Sequence, residues 1–133
     1  MNTKLFSCLL LFIAIGITSC EKGPGTGGTS TIRGKVIVHD YNADFTIPRD
    51  TFPAAKEDVY IIYGEDYVYG DRFETDYEGE YEFKYLREGS YTIYAYSKDT
   101  TSLIVPKIVA IVRQAEITAE DQIVEVPDII IVK

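Results

Sequence analysis

The sequence predicts an all-β domain of the sandwich class, built from about seven strands. From Thr31 onward no segment keeps a 3.6-residue apolar period, whereas apolar and polar residues alternate with period two between turn signals. The chain has 133 residues, of which 46% are apolar, enough for one packed domain but not for two. Its 11 tyrosines and 6 phenylalanines favour strands and argue against a disordered chain.

The first half of the domain contains a single strand followed by a hairpin. The alternation over Ile32–His39 predicts the first strand. Its inner face carries Ile32, Gly34, Val36 and Val38. A long polar connection with two prolines runs from Asp40 to Asp58. After it, Val59–Tyr63 is predicted as a strand and Tyr67–Thr75 as the return arm of a hairpin.

Two strongly alternating strands follow a glycine-containing turn at Asp76–Gly79. The inner face of the first carries Tyr81, Phe83 and Tyr85. The second covers Tyr91–Ser97, and its inner face carries Tyr91, Ile93 and Ala95. We expect the ring of Tyr91 to be buried and its hydroxyl to bind a backbone group, as in a tyrosine corner.

The C-terminal part is less regular. Leu103–Thr118 is apolar on both faces and interrupted by Pro106, so its second half is predicted as the strand. A polar turn precedes the last predicted strand, Ile123–Val132, in which Pro127 requires an edge or a bulge. About seven strands in roughly 100 residues match an immunoglobulin-like Greek-key sandwich over residues 31–133.

Residues 1–19 have the pattern of an export signal. Lys4 is their only charge, and an apolar run from Leu5 to Ile17 ends in small residues. A helix of this length spans about 20 Å, short of the roughly 30 Å hydrocarbon core, so the run is not a membrane span.

The four residues Ile17-Thr18-Ser19-Cys20 resemble the lipobox of bacterial lipoproteins. The resemblance implies that Cys20 carries the lipid, palmitate included, after the signal is removed. Ordinary signal cleavage that leaves an incidental cysteine is the alternative. Glu21 does not resemble the aspartate of inner-membrane retention signals, which favours the outer membrane, on either its periplasmic or its surface face. Residues 20–30, rich in glycine, are predicted as the lipidated cysteine and a flexible tether.

The charge balance limits the classes of partner. There are 13 basic against 21 acidic residues, a formal charge of -8, which argues against nucleic acid and against a basic patch that binds anionic lipid. Attachment to the membrane is therefore expected through the lipid at Cys20.

One part of the domain resembles a known family. The segment Thr75–Phe83 reads TDYEGEYEF and is followed by Leu86, Gly89 and Tyr91. It resembles the TDxxGxYxF…L..G.Y signature of carboxypeptidase regulatory-like, transthyretin-like and Cna-B-like domains. The resemblance implies an immunoglobulin-like sandwich that serves as a spacer, adhesion or docking module rather than a catalyst. The chain departs from the signature at Arg87-Glu88, where the family favours proline.

Few residues are suited to catalysis. His39 is the only histidine and is expected on the outer face of the first strand. Neither GxSxG nor HExxH occurs, and no cysteine remains if Cys8 leaves with the signal and Cys20 is lipidated. The sequence therefore predicts a protein that is not an enzyme, with no catalytic residue and no cofactor.

Carboxylates gather around the predicted Asp76–Gly79 turn. They are Asp71, Glu74, Asp76, Glu78 and Glu80. Alternating acids can hold a hard cation such as calcium, but the spacing does not match an EF-hand, and a solvated hairpin end carries similar residues. No metal site is predicted, and a cation at Asp76, Glu78 and Glu80 stays an open alternative.

Ten of the eleven tyrosines lie between Tyr60 and Tyr96. If the two strands that contain these residues are neighbours, alternation places Tyr60, Ile62, Tyr94 and Tyr96 on one outer face, with Tyr67 and Tyr69 as additions from the hairpin. Such a surface is a candidate binding site, because tyrosine offers a large rigid area. The alternative is cross-strand pairing that only stabilises the sheet.

These observations predict a non-enzymatic, lipid-anchored cell-envelope lipoprotein whose domain binds or docks an envelope or extracellular partner. One alternative is a structural spacer or accessory subunit without a ligand. The other is a carbohydrate-binding module that uses the tyrosines, although tryptophan, the usual sugar platform, is absent.

Overall fold

The structure, a computed structural model, describes residues 22–101 and 107–133. The predicted signal at residues 1–19 and the lipid-accepting Cys20 lie outside these described residues. Within the described ranges there are nine strands, and no helix there is long and apolar enough to cross a membrane. The strands are β1 (Thr26–Tyr41), β2 (Pro48–Pro53), β3 (Asp58–Tyr63), β4 (Asp71–Glu74), β5 (Glu80–Leu86), β6 (Gly89–Lys98), β7 (Ile108–Ile117), β8 (Ile123–Glu125) and β9 (Ile129–Val132).

The strands form two sheets. In the first, β1 is central: β5 and β8 pair with the same part of it from opposite sides, and β2 and β9 pair with its second half. Strands β2 and β5 run antiparallel to β1, whereas β8 and β9 run parallel to it. The second sheet has the order β4-β3-β6-β7 and is antiparallel throughout. The predicted all-β sandwich is confirmed.

The inner faces of the two sheets share one core. The predicted inner face of β1 is confirmed, since Ile32, Val36 and Val38 are buried there. The same holds for β6, where Tyr91 and Ile93 are fully buried. The other core residues are Ala54, Val59, Ile61, Tyr81, Phe83, Leu86, Ala95, Ala115, Ile117, Val126, Ile129 and Ile131.

The predicted count of about seven strands is wrong, because the prediction missed one strand and joined two others into one. Strand β2 lies in the predicted polar connection. Its two prolines, Pro48 and Pro53, are at its ends and it is an edge strand, where a missing backbone N–H disrupts no central ladder. The predicted strand Ile123–Val132 is divided into β8 and β9, with Pro127 in the interval between them.

The return arm of the hairpin is shorter than predicted, whereas β7 lies where the sequence predicts a strand. Instead of Tyr67–Thr75, the return arm β4 covers only Asp71–Glu74. Gly70, just before it, lies against the ring of Tyr63, where an added Cβ would be 2.1 Å from a ring carbon. Strand β7 covers most of the second half of the predicted Leu103–Thr118 and begins three residues before that half, at Ile108; residues 102–106 lie outside the described residues.

The inward placement of Tyr85 is wrong. Tyr85 has a φ of 59° and is 70% exposed, while its neighbour Leu86 is buried. Leu86 pairs with Ser30 and Phe83 with Ile32, so β5 has one more residue than β1 over this stretch. Tyr85 is the extra residue of a β-bulge, and the bulge turns Leu86 into the core in its place.

Strand β1 begins five residues before the predicted domain boundary, at Thr26 instead of Thr31. Residues 26–30, expected in the tether, are therefore part of the first sheet. Thr26 and Ser30 both pair with Leu86, and the Ser30 hydroxyl donates to the carbonyl of Ala119 at 2.9 Å. Gly28, one of the glycines that suggested flexibility, allows close packing instead, because a Cβ there would be 2.1 Å from the Leu86 carbonyl oxygen.

Candidate functional site

The outer face of the second sheet is where the candidate residues meet. Strands β3 and β6 are neighbours, and Tyr60 pairs directly with Tyr94. Val59 and Ile61, on either side of Tyr60, are fully buried. Since side chains alternate along a strand, Tyr60 and Tyr94 project from the outer face, as the sequence predicts.

Four rings form one cluster on this face, which we call the tyrosine surface: Tyr60, Tyr69, Tyr94 and Tyr96. Tyr60 and Tyr94 stack at 5.1 Å between ring centroids, with 15° between their planes. Tyr96 lies edge-on to both, at 5.7 Å from Tyr60 and 5.6 Å from Tyr94. Tyr69 contacts Tyr60 edge-on at 4.9 Å. These centroid distances fall in the range of favourable aromatic pairs.

Exposure differs between the centre and the rim of the tyrosine surface. Tyr60 and Tyr94 at the centre are half-buried, whereas Tyr69 is 51% and Tyr96 46% exposed. Burial, with a smaller contribution from the neighbouring Tyr96 hydroxyl, raises the pKa of Tyr94 to about 12. Burial and then the Asp58 carboxylate raise the pKa of Tyr60. Both hydroxyls therefore remain protonated and able to donate hydrogen bonds at neutral pH.

The surroundings of the tyrosine surface are apolar on one side and charged on the other. Val112 on β7 pairs with Tyr94 and is 44% exposed. On the opposite side Arg72 pairs with Tyr60 and makes a 3.2 Å ion pair with Asp58. An apolar centre with a partly charged border is the usual arrangement of a protein contact surface.

Two other predicted members behave differently. Ile62 is on the same outer face but one row away, opposite Thr92, and it is half-buried. Tyr67 is fully exposed on the hairpin and takes part in none of the ring contacts. Tyr69 is thus the hairpin residue that joins the cluster.

The acidic turn is a closed local structure. The Asp76 carboxylate accepts hydrogen bonds from the backbone N–H groups of Glu78 and Glu80, both at 2.9 Å. The Gly79 N–H donates to the Asp76 carbonyl at 3.1 Å, and Gly79 has a φ of 76° that suits glycine. Within residues 22–101 and 107–133, no three acidic, histidine or cysteine side chains are grouped so that they could hold a metal ion.

His39 lies in β1 and is half-buried, paired with Thr51 on one side and Val132 on the other. Its backbone carbonyl accepts a hydrogen bond from Lys133, 3.3 Å away. Strand pairing accounts for its position.

Arg87 has a structural role that the sequence analysis did not identify. Its guanidinium group donates to the backbone carbonyls of Gly23 and Thr26, which lie just after the predicted lipidation site. The available signal was the departure from the family signature at this position. The local sequence pattern could not show which segment Arg87 binds, because Arg87 and Gly23 lie more than sixty residues apart in the chain.

Comparisons with known proteins do not assign the chain to a family. No protein-family model matches the chain, and no curated protein matches it. Among solved structures, the chain is similar to a crystal structure from Pseudomonas aeruginosa of a protein described provisionally as a carbohydrate binding protein. The TM-score is 0.47 and the sequence identity 10%, over 82% of this chain and 91% of that chain. A likeness at this level implies nothing about the ligand of the present chain.

Proposed function

We propose that this protein is a lipid-anchored, non-enzymatic lipoprotein of the cell envelope, and that the tyrosine surface binds a partner protein. The fold that presents this surface is proposed to be an immunoglobulin-like, transthyretin-like sandwich. The lipid anchor is supported by the lipobox-like Ile17–Cys20, and the outer membrane by Glu21 after it.

The tyrosine surface is the single observation that supports binding. Sheet stability requires good cross-strand pairs, which Tyr60 and Tyr94 provide. It does not require the two further rings, Tyr69 and Tyr96, to gather around this pair with about half of their area exposed. Exposed aromatic clusters of this kind supply most of the binding energy at many protein interfaces, at about 2 kcal/mol or more for each central residue.

A glycan is the second candidate partner. Tyr60 and Tyr94 cover one another by stacking, so neither offers two open faces to a sugar. The exposed rings of Tyr69 and Tyr96 at the rim are the ones on which a sugar could stack.

The test compares a surface variant with a matched control. Replacing Tyr60, Tyr94 and Tyr96 by serine removes three of the four rings of the tyrosine surface and leaves the buried face of β3 and β6 intact. The control carries Tyr77→Ser and Tyr85→Asn, which change exposed tyrosines outside the cluster, and asparagine tolerates the positive φ at residue 85. Thermal unfolding establishes that all three proteins are folded.

Each protein is then cross-linked in intact cells and isolated from membranes at matched abundance. We expect one or more envelope proteins to be cross-linked to the wild type and the control but not to the serine variant. Equal cross-linking of the wild type and the serine variant would mean that the tyrosines only stabilise the sheet, and the spacer interpretation would then be favoured. Binding to a glycan array that depends on Tyr69 and Tyr96 would identify the second candidate.

A further inference from the structure

The segment immediately after the proposed lipidation site is held against the β5–β6 turn by Arg87. The Arg87 side chain donates from Nε to the Gly23 carbonyl at 2.7 Å and from Nη1 to the Thr26 carbonyl. Its backbone N–H donates to the Gly25 carbonyl at 2.8 Å. Nη2 also donates to the Pro24 carbonyl at 3.5 Å, so one residue binds all four backbone carbonyls of Gly23–Thr26.

Tyr91 fixes the same segment from the core side. Its hydroxyl accepts a hydrogen bond from the Gly25 N–H at 2.9 Å and donates to the Arg87 carbonyl at 2.6 Å. Both Tyr91 and Gly25 are buried. The Tyr91 hydroxyl therefore joins residue 25 to the turn that carries Arg87.

Pro24 adds a packing contact. It lies against Gly89, where an added Cβ would be 2.3 Å from its Cγ, and against Gly64, where the same distance would be 3.3 Å. These two glycines leave the room that Pro24 occupies. We call Gly23–Thr26 together with Arg87, Gly89 and Tyr91 the N-terminal clamp.

The clamp leaves little chain between the lipid and the folded domain. Gly23 is three residues after Cys20, so even a fully extended chain spans at most about 11 Å between them. A free tether over residues 20–30 would instead allow the domain to turn in any direction. With the clamp closed, only one end of the sandwich can be near the lipid.

From this geometry we infer that the clamp holds the end of the sandwich formed by the β5–β6 turn against the phospholipid headgroups, so that the domain has a fixed orientation on its membrane. The inference rests on the proposed lipid anchor at Cys20. The partner at this end is the headgroup layer directly above the hydrocarbon region in which the acyl chains of Cys20 would be inserted.

The orientation also determines the height of the tyrosine surface. Gly89, a residue of the clamp, begins β6, and Tyr94 and Tyr96 follow five and seven residues along the strand. At the usual rise, they are about 17 Å and about 24 Å from the clamped end. The tyrosine surface is then above the headgroups and accessible from the side, as a docking surface for another envelope protein requires.

Two single-cysteine labels test the orientation. Glu120 lies in the turn that contacts Ser30, at the clamped end, and Asp44 follows the far end of β1; both are exposed. Roughly 35 Å of strand separates these two ends. Full-length lipoproteins with Glu120→Cys or Asp44→Cys carry a fluorophore on the only free thiol and are placed in phosphatidylethanolamine and phosphatidylglycerol vesicles that contain headgroup-nitroxide lipid.

We expect the nitroxide to quench the label at residue 120 several-fold more than the label at residue 44. Arg87→Ala should remove most of this difference, whereas Arg72→Ala, which changes an exposed arginine outside the clamp, should preserve it. A flexible insertion of about ten Gly and Ser residues between Lys22 and Gly23 leaves the clamp intact, adds about 17 Å of reach and should also remove the difference.

The insertion keeps the test valid if Arg87→Ala fails to fold. Equal quenching of the two labels in the wild type, or an unchanged difference in the insertion variant, would overturn the inference. Palmitate incorporation, measured on the same samples, separates the two proposals. A protein without palmitate contradicts the lipid anchor, whereas a palmitoylated protein with equal quenching contradicts only the fixed orientation.

Discussion

Tyr91 shows how much a single position contributes to this fold. Its ring is fully buried and contacts Tyr63 edge-on at 5.9 Å. Burial is also the main reason why the pKa of Tyr91 is raised. The sequence predicted the buried ring and a backbone partner for the hydroxyl, because alternation fixes the face and a tyrosine corner has this form. It did not predict the second bond, from Gly25, because that residue was assigned to the tether.

Tyr91→Phe tests the hydroxyl alone. The substitution keeps the ring but leaves the Gly25 N–H and the Arg87 carbonyl without their partner in a buried site. We expect the free energy of unfolding to fall by about 1–3 kcal/mol, measured by urea denaturation. Tyr77→Phe, at a position that is 82% exposed, should change it by less than about 0.5 kcal/mol. Equal stability of the two variants would show that the hydroxyl bonds add nothing to stability.

Among the elements, β1 and β5 show where the sequence was and was not sufficient. The faces of β1 followed from its alternation, because Ile32, Val36 and Val38 lie on one face of the strand and are buried. The bulge at Tyr85 did not, because a left-handed tyrosine has no sequence signal of the kind that glycine provides. Likewise β2 has few apolar residues and is exposed throughout, so no alternation marks it as a strand.

Gly34 tests the packing between these two strands. It pairs with Tyr81, whose ring lies over it, so a Cβ at residue 34 would be 2.5 Å from the Tyr81 hydroxyl oxygen and 2.7 Å from Cζ. Gly34→Ala must displace a ring that is 98% buried, and overpacking of this kind costs about 1–3 kcal/mol of unfolding free energy. Gly23→Ala is the control, because no atom lies within 4 Å of its added Cβ. Chemical denaturation compares the two, and similar midpoints would contradict the close Gly34–Tyr81 contact.

At the scale of the whole molecule, the sequence predicted the class of fold and the central residues of the candidate site. It did not predict which distant segments of the chain contact one another. The sequence placed Tyr60, Tyr94 and Tyr96 on one face because side chains alternate between the two faces of a strand. When β3 and β6 pair, these three side chains lie on the same face of the sheet. Tyr69 joins them from a segment without regular alternation. The clamp depends on contacts between residues far apart in the chain, which local pattern does not encode.

The proposed attachment of the molecule to a membrane depends on one side chain, Cys20. If Cys20 accepts the lipid, Cys20→Ala should leave an unprocessed precursor or a protein released from membranes. Without acyl chains the N-terminus buries no methylenes in the bilayer, and each buried methylene contributes about 0.8 kcal/mol to membrane binding. Labelling with palmitate, followed by membrane fractionation, measures both effects.

Cys8→Ala is the matched control, since Cys8 lies in the apolar run that is predicted to be removed. We expect the control to incorporate palmitate like the wild type. Palmitate in the Cys20→Ala protein at the wild-type level would refute the lipid anchor and, with it, the basis for a fixed orientation on the membrane.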